Sequence, residues 1–249
     1  MNEARDPGDL PPISPERPVP GVDRGDRVHE FHGEGVNVTW SRRRCIHAAA
    51  CVMNLPAVFE PGRRPWIDLS QAPAESIARV VEHCPTGALH YERTDGGAPE
   101  ATPASNLALV TRNGPIYVRG AIEVLDETGA PRLTDTRVAL CRCGRSATKP
   151  LCDGAHLSSG FNDPGAIGTE GKVEDRGERS GGLRVRPLAD GPLDLDGPFV
   201  LSSADHRTMI EGGGTRLCRC GQSRTKPFCD GSHRTTGFAS GSHLSTSVQ

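Results

Sequence analysis

The chain has 249 residues, 35% hydrophobic and 4% aromatic, with 30 Gly and 21 Pro. So thin an apolar supply excludes one large core and suits two or three small domains. Lys and Arg number 29 against 31 Asp and Glu, a balance that excludes a dedicated nucleic-acid or membrane-surface binder. No stretch approaches the ~20 apolar residues of a membrane span, and the opening residues have no signal peptide's apolar region, so a soluble cytoplasmic protein is expected.

In chain order, residues 1–27, rich in Pro, Asp, Arg and Gly, are predicted to be disordered. A first folded unit is expected over 28–93. There Val36–Trp40 and Leu89–Tyr91 read as strands, and Ala74–His83 sets Ile77, Val80 and Val81 on one side of a helix. Residues 94–105 read as a linker. A second unit is expected over 106–165, a glycine-rich loop connection over 166–187, a third unit over 188–240 and a Ser-rich tail over 241–249. Before the cysteines of the second and third units lie runs such as Ile116–Val124 and Leu193–Leu201, whose alternation between Gly and Pro punctuation reads as strands of a small sheet. Units this small need metal for much of their stability.

The nine cysteines fall into three groups of three. An odd count without an export signal argues against disulfides and for metal binding. A constant offset of 77 residues carries Cys141, Cys143, Cys152 and His156 onto Cys218, Cys220, Cys229 and His233. The same offset carries Gly114-Pro115 onto Gly191-Pro192, Gly120 onto Gly197 and Gly160-Phe161 onto Gly237-Phe238, the mark of a duplicated unit. Both copies read C-x-C-x8-C-x3-H. Three Cys and one His suit zinc, although structural zinc sites mostly use C-x2–4-C pairs. C-x-C presents two thiolates from alternate residues of an extended segment, which suits one iron of a dinuclear cluster, leaving Cys and His for the other. Asp153 and Asp230 are placed to cap a short helix that carries the His.

Both motifs resemble the CDGSH iron–sulfur family, whose pattern C-x-C-x2-[ST]-x3-P-x-C-D-G-[STA]-H they match at every fixed position. The resemblance covers roughly residues 105–165 and 188–240. It implies a [2Fe–2S] cluster in each copy, a small β-rich fold and, since the two motifs share one chain, a fused pseudo-dimer. An imidazole in place of a thiolate raises the reduction potential and lets protons compete with iron, so clusters labile below about pH 6–7 are expected. Ser146 and Ser223 are placed either to hydrogen-bond cluster sulfur or only to shape the turn. Lys149 and Lys226 either offset cluster charge or are solvated.

Cys45-Ile-His-Ala-Ala-Ala-Cys51 followed by Cys84-Pro85 has the outline of a bacterial ferredoxin cluster loop, and residues 28–93 resemble a divergent single-cluster ferredoxin. Ala48 stands where a [4Fe–4S] ferredoxin has a further Cys. Three thiolates suffice for [3Fe–4S], and [4Fe–4S] with an outside ligand is the alternative; His47 lies beside the empty position. Arg42–Arg44 read as a solvated strand end, Trp40 and Trp66 as core, and His29, His32, His83, His90, His206 and His243 as surface or satisfied core residues.

The expectation is an α+β protein: a small ferredoxin-like domain followed by two tandem β-rich CDGSH modules in an intrachain pseudo-dimer. It is a monomer with three clusters, serving electron transfer or redox sensing with a redox partner protein. The alternatives are storage and transfer of clusters to apo-proteins, and the electron-input subunit of an oxidoreductase. With every conspicuous side chain used as a ligand, the chain itself is not expected to be an enzyme.

Overall fold

A computed structural model describes residues 27–168, 171–176 and 181–241. The expected N-terminal tail before Arg27, His243 and nearly all of the Ser-rich tail lie outside the described residues. The chain divides into two compact units, the first holding residues 27–84 and 88–101, the second residues 85–87 and 102–241.

In the first unit β1 (Val28–Gly33), β2 (Val36–Ser41) and β3 (Leu89–Arg93) form an antiparallel sheet in the order β1-β2-β3. The alternation of β2 sends Val36 and Val38 to full burial. Helix α1 (Ala50–Asn54) is short, and α2 (Ala74–Val81) turns Ile77, Ala78, Val80 and Val81 inward. These meet Val58, Phe59, Ile67 and Leu89 in one core. Trp66 packs edge-on to Trp40 at 5.0 Å between ring centroids, and both lie against that core. The expected linker does not leave the unit at residue 94. Residues up to 101 stay with it, held where Glu100 accepts from the buried His90 ring at 3.0 Å.

The second unit is one seven-stranded sheet made of β4 (Leu107–Val110), β5 (Ile116–Leu125), β6 (Pro131–Leu140), β7 (Val173–Glu174), β8 (Leu183–Pro187), β9 (Leu193–Ser202) and β10 (Met209–Leu217). The repeat is visible in three dimensions, since the 77-residue offset lays β5 onto β9 and β6 onto β10. The copies are not separate bodies. β4 pairs with β5 of its own repeat and runs parallel to β9 of the other; β8 pairs with its own β9 and runs parallel to β5. These pairings close a ring of β4, β5, β8 and β9.

The ring is possible because β5 changes neighbour along one edge. Residues 116–119 pair with β4 and residues 122–124 with β8, with the register breaking between Arg119 and Ile122. Buried Asn106 staples this bulge. Its Oδ1 accepts from Ala121 N at 3.0 Å, and its Nδ2 donates to Pro198 O at 2.7 Å and Gly181 O at 3.0 Å. Val118, Leu140, Leu183, Leu193, Leu195 and Leu217 fill the interior, each side chain contributing ~1.5–3 kcal/mol by leaving water.

The region 166–187 is not the loop expected from its glycines. It carries β7 and β8, and Leu183, Val185 and Pro187 of β8 are buried. Among the described residues, no helix is long and apolar enough to cross a membrane.

Candidate metal centres

Each C-x-C leaves directly from the end of a central strand. β6 ends at Leu140, and the chain returns to pair with it: Cys141 N donates to Pro150 O at 2.8 Å and Cys152 N to Ala139 O at 2.8 Å. In the second repeat Cys218 N donates to Pro227 O at 2.7 Å and Cys229 N to Arg216 O at 2.9 Å. The strand thus fixes both ends of the loop. Beyond it, Gly154 and Gly231 lead into single 3-10 turns, Ala155–Leu157 and Ser232–Arg234, that carry His156 and His233. The helix expected at this point is only that turn. Asp153 Oδ1 accepts from Ala155 N at 3.0 Å, while its Oδ2 accepts from Ala147 N at 2.7 Å and ties the turn to the cysteine loop. Asp230 repeats both bonds.

The four donors of each motif come in pairs. Cys141 Sγ lies 3.8 Å from Cys143 Sγ, and Cys152 Sγ lies 3.3 Å from His156 Nδ1. In the second motif the separations are 3.7 Å and 3.4 Å. Among the described residues, no three Cys, His, Asp or Glu side chains converge to hold a single ion. One thiol of each C-x-C pair is poised to give up its proton. The hydrogen bond from Cys141 lowers Cys143 to about 6, helped by Arg145 N, and Cys218 does the same to Cys220. The donating thiols are driven up by that bond and by burial. Burial pushes Cys152 to about 11 and raises Cys229, so these need a cation to become thiolates. Burial holds both His156 and His233 below the ordinary imidazole value.

The structure places the other expected residues inside the loop. Buried Ser146 Oγ donates to Leu151 O and Ser223 Oγ to Phe228 O, both at 2.7 Å. Lys149 Nζ donates to Ser146 O at 2.7 Å, and Lys226 Nζ to Ser223 O. The residues between the paired cysteines in sequence are Arg142 and Arg219, which sequence reasoning passed over. Both are buried to within 2%. Arg142 Nε donates to Gly114 O at 3.0 Å and Arg219 Nε to Gly191 O at 2.9 Å. Their guanidinium groups stack on Phe161 and Phe238 at 5.0 Å and 5.3 Å. The signal was present in the repeated C-R-C.

The two motifs also touch. A Cβ on Gly144 would stand 2.6 Å from Cys220 O, and one on Gly221 2.8 Å from Cys143 O. With φ of +79° at both, these positions admit only glycine at no cost.

In the first unit, Cys45 follows a turn closed by its N–H on Arg42 O at 3.3 Å. Cys51 lies in α1, and buried Cys84 follows α2. All three border the same core. His47 and Ala49 take left-handed φ of 57° and 62° in the connecting loop, and His47 is exposed. Burial, with the neighbouring Cys84 and Cys45, pushes Cys51 to about 11. Arg44 is buried, not part of a solvated strand end. Three thiols at one core, with Cys51 near enough to feel the other two, are a donor set suited to iron and sulfide.

Residues 31–94 match the family described as a divergent 4Fe-4S mono-cluster. Residues 113–157 and 190–234 each match the family described as an iron-binding zinc finger of CDGSH type. Similar proteins are the uncharacterized protein YjdI of Escherichia coli strain K12 and that of Escherichia coli O157:H7, each 31% identical over 61 residues, which is 24% of this chain and 80% of theirs. No solved structure matches the chain.

Proposed function

From a segment that matches the divergent 4Fe-4S mono-cluster family, followed by two that match the CDGSH iron-binding family, we propose that the chain is an electron carrier or redox sensor. The observation that carries this reading is the pairing of donors, two thiols together and a thiol with an imidazole together, in both repeats. That is the donor set of a [2Fe–2S] centre with two protein ligands per iron, whereas zinc would draw all four to one point. When bound, such a centre supplies a reversible one-electron couple.

Cys141, Cys143, Cys152 and His156, and Cys218, Cys220, Cys229 and His233, would hold the two clusters through three thiolates and one neutral imidazole each, with a buried arginine in each loop. Backbone contact between the two cysteine loops supports passage of an electron from one centre to the other. The crossed pairing of β4 with β9 and β8 with β5 supports the pseudo-dimer within a monomer. In the first unit Cys45, Cys51 and Cys84 would hold a [4Fe–4S] or [3Fe–4S] cluster. The matched family's description favours the former, with a non-cysteine ligand in place of the absent thiol at Ala48. A cytoplasmic compartment goes with this reading, in which the cysteines serve clusters rather than disulfides. The partner is then a redox protein such as a reductase, and the chain itself is not an enzyme.

The half-exposed setting of His156 and His233 favours a second reading, delivery of clusters to apo-proteins. Anaerobic purification with iron and sulfide counts and electron paramagnetic resonance tests the cofactors. Reduction by a ferredoxin reductase with all iron retained supports the carrier. Transfer of colour to an apo-ferredoxin, abolished by His156→Cys and His233→Cys, supports delivery instead, and a colourless zinc protein overturns both.

A further inference from the structure

We infer that the two CDGSH centres are electrically unlike and that the second, at Cys218, Cys220, Cys229 and His233, is reduced first, because its buried arginine has lost the carboxylate that neutralises the arginine of the first. This rests on the reading of both motifs as one-electron centres.

The repeat makes the comparison position by position. Arg142 Nη1 donates to the Asp163 carboxylate, a buried ion pair, and its Nη2 donates to Thr111 O at 2.5 Å. Arg219 Nη2 makes the matching bond to Leu188 O at 2.6 Å, but the 77-residue offset puts Ser240 where the first repeat has Asp163. The acid has moved to the partner position. Asn113 Oδ1 accepts from Asp163 N at 2.7 Å, and its counterpart Asp190 Oδ1 accepts from Ser240 N at 2.7 Å. The backbone tie survives while the carboxylate is turned onto Ser240, whose hydroxyl also donates to it at 2.9 Å. Arg219 keeps an ion pair with half-exposed Glu127 at 3.8 Å, longer than a hydrogen bond and weakened by water, and feels exposed Asp190 and Cys141 only through space.

A buried cation carried by the C-R-C loop stabilises the reduced, more negative centre, and in a buried site its charge is felt more strongly than at the surface. The exposed cations balance: the second repeat has Arg224 and Arg234 where the first has Ala147 and Leu157, and the first has Arg145 and Arg112 where the second has Gln222 and Ala189. The difference therefore rests on the buried pair. With both clusters bound, the first electron from a low-potential donor would therefore go to the second centre. No atom is transferred.

The test uses the full chain, reconstituted with iron and sulfide and titrated with dithionite through redox mediators. The two His-ligated centres are followed by their paramagnetic resonance. Two one-electron steps are expected, differing at least tenfold in reduction equilibrium, about 59 mV. The double variant Asp190→Asn/Ser240→Asp keeps the formal charge and builds the first repeat's arrangement into the second; it should bring the higher step down onto the lower. Asn113→Asp/Asp163→Ser, the converse, should raise the lower step onto the higher. Coincident steps in the unmodified chain, or swaps that leave both steps in place, overturn the inference while leaving the cluster assignment standing. Absence of sulfide overturns both.

Discussion

His156 and His233 each rest on a single 3-10 turn, and the surroundings of the two rings are not identical. At His156 burial lowers the pKa, Asp153 opposes it and Arg142 adds to it; at His233 burial is joined by Arg234 and Arg219 against Asp230. A lowered value means that the neutral, metal-binding imidazole persists further into acid, so binding is complete above the ordinary histidine value and lost as pH falls below it. Visible absorbance should therefore be stable above about pH 6.5 and bleach increasingly below it. His156→Cys and His233→Cys should move the bleaching to more acid pH, and an unmoved profile would remove the imidazoles from the ligand set. Ser146 makes a sharper point about a residue whose role was open in the sequence. Its hydroxyl is committed to Leu151 O and accepts from Thr148 N at 3.0 Å. Ser146→Ala should cost ~1 kcal/mol in denaturant unfolding, as the half-buried Leu151 carbonyl keeps only the longer bond from Thr148 Oγ1 at 3.4 Å, with the reduction potential unchanged. A shifted potential at unchanged stability would show that the hydroxyl serves the cluster instead.

Between loops, the contact at Gly144 and Gly221 is the tightest constraint on the two centres. Gly144→Ala must hold φ near +79° and drive a methyl group to 2.6 Å from Cys220 O, which costs at least ~1–2 kcal/mol from the backbone alone and forces the loops apart. Iron content of both motifs should fall together. Gly160→Ala, with φ +69° but nothing within 4 Å, should keep its iron; equal losses in the two variants would mean that the loop contact does not matter. Sequence legibility divides along the same line of local against long-range causes. β2, β3, β5, β9 and α2 announced themselves because burial on one face imposes a period that the residues repeat. α1 is too short to show a period, β1 is an edge strand that is only half-buried, and β8 was masked by the glycines before it although Leu183, Val185 and Pro187 alternate with arginine. The ligands were legible since their spacing is local. Arg142 and Arg219 were not, because carbonyls brought in from Thr111, Gly114, Leu188 and Gly191, some thirty residues away, make their burial possible.

Across the second unit, the ring of β4, β5, β8 and β9 means that neither repeat has a complete core of its own. Cut between the repeats, residues 102–180 keep β4, β5, β6 and β7 but expose the edge of β5 at Ile122–Val124 that β8 covers, and residues 181–249 expose the edges of β9 and β10 that β4 and β7 cover. An open edge over a half-built apolar face is unstable in water and seeks another strand. Because the crossed pairings are nearly symmetric, the strand that fits best is the matching one from another copy. Neither fragment should therefore exist as a folded monomer. Each alone should be unfolded by circular dichroism or self-associate on sedimentation, while an equimolar mixture reconstituted with iron and sulfide should give a one-to-one complex with both motifs filled. A folded, cluster-bearing monomer of either fragment would show that the exchange of strands is incidental, and that each motif carries enough of its own core to hold its metal.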